Sequence, residues 1–172
     1  MTKDLHKDPF DESTKSKLAI FKDYLREWLP VFIAPQKIYY KTINIFDFFA
    51  GPGTDFVGTK GTPLIIIDEL KSHSSSIISK KLSVNLYFNE FAKDKYKQLE
   101  ERLIHERENL DFLTKIEKEN LDFQKAFDKY YSVMSAPKTA NLLFLDQSGI
   151  KHINEDIFKK IVALRKNDFL FF

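Results

Sequence analysis

The chain has 172 residues, which fits one domain with a substantial buried core, and its 43% hydrophobic content excludes a disordered polypeptide. Its 27 basic and 25 acidic residues leave a net charge of only +2, too weak to indicate a nucleic-acid partner from charge alone, although it does not exclude one. Without cysteine there is neither a disulfide nor a thiolate metal site, and the four histidines are scattered without metal-ligand spacing.

Read in chain order, residues 11–29 carry helical spacing, with Leu18, Phe21, Leu25, Trp28 and Leu29 on one face. Ser13 or Thr14 is the expected N-cap, and Pro30 and Pro35 are expected to end the helix. Phe21, Tyr24 and Trp28 are read as core rather than as a stacking platform. The first strand is expected at 43–46, followed by a glycine loop. Thr62-Pro63 then opens a second helix, because proline at a first-turn position sacrifices no helical hydrogen bond. That helix is expected to fade into a polar loop at 72–76.

A second strand is predicted at 84–88 and ends on Asn89-Glu90. Helical patterns follow at 92–108, 122–134 and 155–164, and strands at 113–116, 141–145 and 168–172. Alternation of this kind implies an α/β fold, a mainly parallel sheet with helices on both faces. Residues 1–41 are expected to form an N-terminal helical segment, and 42–172 a Rossmann-like domain. The chain stops within its fifth apolar strand, so it is expected to be a fragment of a longer protein, truncated after that strand. The polar N-terminus and the lack of an apolar run near ~20 residues point to a soluble, cytoplasmic protein without a membrane association.

Three acids, Asp47, Glu90 and Asp146, fall at or just beyond successive strand ends, where doubly wound sheets bind ligands in the crevice outside the strands' carboxyl ends. Gly51 and Gly53 would let backbone approach a ligand that a Cβ would block. An acid at Glu90 can accept hydrogen bonds from two ribose hydroxyls, and Asp122 can reach an adenine amino group. Each acid also has a plainer role open to it. Asp47 and Asp146 can stabilise their turns, Glu90 can sit favourably on a helix dipole, and Asp122 can cap its helix. The spacing from Gly53 to Glu90 exceeds the ~20 residues typical of dinucleotide folds, which disfavours a pyrophosphate ligand and a dinucleotide oxidoreductase.

The run Phe-Asp-Phe-Phe-Ala-Gly-Pro-Gly at 46–53 resembles the first motif of class I S-adenosylmethionine methyltransferases, in particular the form found in the bacterial three-Cys-motif partner family. Residues 15–28, Gly61-Thr62-Pro63-Leu64, Phe88-Asn89-Glu90 and 168–172 are further points of resemblance. They cover nearly the whole chain but only the first half of a typical member. The resemblance implies a Rossmann-like class I methyltransferase fold and S-adenosylmethionine as cofactor. It places Asp47, Phe49, Ala50, Gly51 and Gly53 around the cofactor's methionine part, Glu90 on its ribose and Asp122 on its adenine. Asp146 would be catalytic, orienting the methyl acceptor, which is unknown. The chain departs from the family where Gln147-Ser148 follows Asp146 in place of proline and an aromatic ring. That departure leaves a second reading open, a non-catalytic methyltransferase-like module that binds an adenosine ligand or a partner protein.

Overall fold

A computed structural model describes residues 8–106, 110–145 and 153–171. In chain order the elements are α1 (Glu12–Ile33), β1 (Thr42–Asp47), α2 (Thr62–Ser72), α3 (Ser74–Ser79), β2 (Ser83–Asn89), α4 (Lys93–Glu106), β3 (Lys115–Glu119), α5 (Phe123–Met134), β4 (Thr139–Leu145), α6 (Glu155–Val162) and β5 (Asn167–Phe171). The strands form one five-stranded sheet in the order β3-β2-β1-β4-β5, and every pairing is parallel. The chain is therefore a Rossmann-like α/β fold, and the strand order reverses direction between β1 and β4.

Period-two alternation along the central strands sends side chains to two separate cores. Ile43, Ile45, Val84, Leu86 and Leu142 pack under α1 to α4, with Phe21, Leu25 and Leu29 of α1 fully buried there. Phe46, Tyr87, Leu143 and Leu145 face α5 and α6 instead, against Phe127, Tyr130, Ile157 and Ile161. Phe46 stacks on Tyr87 with ring centroids 4.6 Å apart. The aromatic-rich composition fills both cores, and α1 completes the first with Phe21, Trp28 and Phe32.

Four features, at the two ends of α1, at α3 and at β3, differ from the sequence reading. Asp11, rather than Ser13 or Thr14, caps α1, its carboxylate accepting from the Thr14 amide at 2.8 Å. Pro30 does not end α1, which runs one more turn to Ile33. An internal proline costs about 3 kcal/mol. Burial of Phe32 and Ile33 returns about 1.5–3 kcal/mol each. The Lys80 ammonium adds donors to the carbonyls of Ile33, Ala34 and Pro35, which the helix end would leave without partners. The serine stretch expected as loop instead forms α3, held by the fully buried Ile77. The third strand lies at Lys115–Glu119 rather than 113–116. Leu113 sits in the preceding turn and packs on the first core, whereas the charged edge strand pairs with Asn85–Asn89.

The sheet also contains an asparagine ladder. Asn85, Asn44 and Asn141 lie opposite one another on β2, β1 and β4, all buried. Asn85 donates to Asn44 Oδ1 at 2.9 Å, Asn44 donates to Asn141 Oδ1 at 3.0 Å, and Asn141 donates to the Met134 carbonyl at 2.8 Å. Among the described residues, no helix is long and apolar enough to cross a membrane.

Candidate functional site

The carboxyl ends of β1 and β2 converge on the loop that follows Asp47. The Asp47 side chain is fully buried and lies against the start of α2. Its Oδ2 accepts from the Thr62 hydroxyl and its Oδ1 from the Phe49 amide at 3.1 Å. A negative charge at this place is favoured by the N-terminal end of the α2 dipole. A carboxylate there would repel an incoming phosphate, and Pro63 removes one of the helix-start amides that such a phosphate would use. The delayed helix start is an excursion rather than a gap. Residues 54–60 form a small hairpin closed by the Thr54–Lys60 bridge, and the Gly61 amide then donates back to the Gly53 carbonyl at 2.8 Å.

Gly51 and Gly53 have φ values of +62° and +89°, a region that L-residues with a Cβ avoid. At Gly53 an added Cβ would also lie 3.3 Å from Cδ of Arg102. That arginine reaches across from α4 to donate to the Pro52 carbonyl at 2.6 Å. The turn is therefore shaped from within by glycine and braced from outside by α4.

Glu90 is half-buried, and its two oxygens divide the work. Oε2 accepts from the Gly51 amide at 2.9 Å, and Oε1 from the Ala92 amide at 2.7 Å. A carboxylate offers about four lone-pair positions, so it retains capacity for hydroxyls presented beside the glycine turn. Asn89 binds the neighbouring strand ends together. Its amide group donates to the carbonyls of Phe48 and Leu121 and accepts from the Leu121 amide, and its backbone carbonyl accepts from Ala50. Phe49 stacks on Phe123 at 5.3 Å, which carries the β1 loop against the start of α5. Asp122 caps that helix by accepting from Gln124 at 2.9 Å, and it is exposed.

The structure thus brings Phe49, Ala50, Gly51, Gly53 and Glu90 together at one sheet edge, with Asp122 at the neighbouring loop and Asp47 beneath. Asp146, and the Gln147-Ser148-Gly149 sequence after it, lie outside the described residues. Two organising residues, Asp55 and Arg102, escaped the sequence reading, and Thr62 and Asn89 entered it only as a helix start and a strand end. Asn89 carried a signal, a polar residue closing an otherwise apolar strand. Asp55 and Arg102 carried none, because their partners are loop amides and carbonyls distant in sequence.

Asp55 is the second anchor of the loop. Its carboxylate accepts from the amides of Phe10 at 2.8 Å, Val57 at 3.1 Å and Thr59 at 2.7 Å. Burial pushes its pKa up, but the hydrogen bonds from Phe10, Thr59 and Val57 outweigh it, and the net shift is downward. Asp55 therefore clasps the segment before α1 onto the glycine loop. Between them lies a cavity of about 90 Å³, bounded by α1, the loop and Phe144 of β4. A larger groove of about 460 Å³ lies at the beginning of β3, against α4, where Leu103, Ile104 and Ile116 alternate with the charged Asp111, Lys115 and Lys118. It lacks the glycine backbone and convergent acceptors of the strand ends, so the smaller cavity is the better ligand site.

Compared with protein-family models and with curated proteins, the chain matches none, so its functional reading rests on this geometry and on the motif at 46–53.

Proposed function

We propose that this chain is a class I methyltransferase domain that binds S-adenosylmethionine at the carboxyl ends of β1 and β2. The observation that carries the reading is the pairing of Glu90 with the Gly51 amide at 2.9 Å. It sets an acceptor for a ribose diol against a backbone turn that admits close approach. The buried Asp47 at the start of α2 argues against a pyrophosphate and therefore against a dinucleotide. The residues present fit a ligand that carries a ribose but no phosphate.

When bound, S-adenosylmethionine would supply an electrophilic methyl group on a sulfonium centre. The chain's own part is mainly binding and positioning. Glu90 would hold the ribose, and the 49–53 backbone would line the methionine part. Asp122 would reach the adenine from the start of α5. Holding an acceptor in line with the methyl group is worth a large share of the barrier, because it replaces a bimolecular encounter with a fixed geometry. Asp146, directly after β4, is the residue proposed to orient the acceptor, whose identity stays open among nucleic acid, protein and small molecules. The Gln147-Ser148 pair after it favours a second reading, a module of the same fold that binds an adenosine ligand or a partner protein without transferring a methyl group.

Titration calorimetry with S-adenosylmethionine, S-adenosylhomocysteine and NAD tests the binding reading. The two sulfur ligands should bind and NAD should not; binding of NAD alone overturns it. With binding established, Asp146→Ala should abolish methyl transfer. Equal transfer by the variant would remove Asp146 from the mechanism, and absence of transfer to any acceptor class would leave the second reading.

A further inference from the structure

The cavity between α1 and the glycine loop has a volume of about 90 Å³. Its walls are mostly apolar or backbone: Phe10, Leu18, Phe49, Ala50 and Phe144. Among the described residues, the one charged side chain on its lining is Lys17. Lys17 is half-buried, and among the described residues it makes neither an ion pair nor a hydrogen bond. The other cations of α1 are differently placed. Lys15 pairs with Glu12 at 3.0 Å, Lys22 lies 3.8 Å from Glu69, and Arg26 lies 3.6 Å from both Asp23 and Glu69. A lysine on the lining of a mostly apolar cavity, with no carboxylate partner among the described residues, is placed to receive an anion there.

The sheet order says which end of the ligand that anion belongs to. Glu90 follows β2, on one side of β1, while Phe144 belongs to β4, on the other, and pairs in register with Asp47. A ligand whose ribose rests on Glu90 and whose chain crosses the Gly51–Gly53 turn therefore points toward the cavity under Lys17. Its far end must be small enough for about 90 Å³, and Lys17 there favours an end that presents a carboxylate or another anionic group.

We infer that Lys17 reads the carboxylate of an α-amino-acid end of the ligand, seated between α1 and the glycine loop. This assignment rests on the S-adenosylmethionine reading and adds a residue and a chemical group to it. The clasp made by Asp55 on Phe10 then has a role in binding. It holds the segment leading into α1 against the loop and so sets the wall beside Lys17.

Two ligands that differ only in the carboxylate provide the test: S-adenosylmethionine and its decarboxylated form, titrated into the wild-type chain, Lys17→Met and Lys17→Arg. A charge-assisted contact of this kind is worth about 10- to 100-fold in affinity. Lys17→Met should weaken S-adenosylmethionine by that factor and leave the decarboxylated ligand within about 3-fold of wild type. Lys17→Arg should restore most of the difference. Retained binding of the decarboxylated ligand also reports that the variant is folded. If Lys17→Met weakens both ligands equally, or neither, Lys17 does not read the carboxylate and the assignment is overturned while the wider reading stands. If neither ligand binds the wild-type chain, it is the methyltransferase reading that fails.

Discussion

At the residue scale, the loop after β1 is controlled by carboxylates that accept backbone amides. Asp55 accepts three of them, from Phe10, Val57 and Thr59, and each bond is lost or weakened when the acid is protonated. Its folded pKa lies below the ordinary aspartate value near 3.8. Its stabilising contribution is therefore complete above that value and disappears as pH falls through the lower folded pKa. The clasp between the α1 leader and the 54–60 hairpin should accordingly hold at pH 5 and release in stronger acid. The protection of the Phe10, Val57 and Thr59 amides, taken relative to their intrinsic exchange rates, should fall below about pH 4, ahead of that of the central strands. In Asp55→Asn the side-chain NH2 would face the amide of Phe10 or those of Val57 and Thr59. Exchange at the faced amides should be fast at every pH, and equal protection in the two proteins would show that the carboxylate does not hold the clasp.

At the element scale, strand and helix positions were largely legible because apolar runs and helical periodicity are short-range signals. Val84 to Phe88 and Asn141 to Leu145 are buried on both faces and read as strands without further help. Lys115–Glu119 does not, because an edge strand needs only alternate burial and carries Lys115, Glu117, Lys118 and Glu119. Pro30 misled for the complementary reason: the tertiary partners Phe32, Ile33 and Lys80 outweigh a local breaker. The glycine turn and Glu90 were legible as a site, whereas the bracing by Arg102 and the clasp by Asp55 depend on contacts that no spacing rule encodes. The asparagine ladder belongs to the same class, since single polar residues inside three apolar strands give no pairing signal. Its position is consequential, because a one-residue slip of β1 would set Asn44 opposite the wrong partners and move Ile43 and Ile45 to the other face. Replacing Asn44 with Ala leaves Asn85 without its acceptor and Asn141 without its donor. Each orphaned group costs about 1–3 kcal/mol. The urea midpoint of Asn44→Ala should fall accordingly, more than that of an exposed control such as Gln36→Ala. An unchanged midpoint would show that the ladder contributes no net stability.

At the scale of the whole molecule, the site is continuous with both cores rather than appended to them. Asp47 and Thr62 join β1 to α2, Asn89 joins the ends of β1 and β2 to the approach to α5, and Phe49 on Phe123 extends the second core to the loop. A ligand seated on this loop should therefore resist global unfolding, not merely quiet a local segment. Binding to the folded state alone adds RT ln(1 + [L]/Kd), about 2.7 kcal/mol at a hundredfold excess over Kd. For a domain of this size each kcal/mol raises Tm by about 2–4 °C, so saturating S-adenosylmethionine should raise Tm by about 5–10 °C, whereas NAD at the same concentration should not. A loop that bound ligand yet unfolded independently of the sheet would behave differently: hydrogen exchange would slow at 49–53 while Tm stayed constant. Measuring both on one sample therefore separates a site integrated with the fold from one that only decorates it. Through Asn89 and Thr62 the structure argues for the integrated case, in which the loop, α2 and the central strands unfold together.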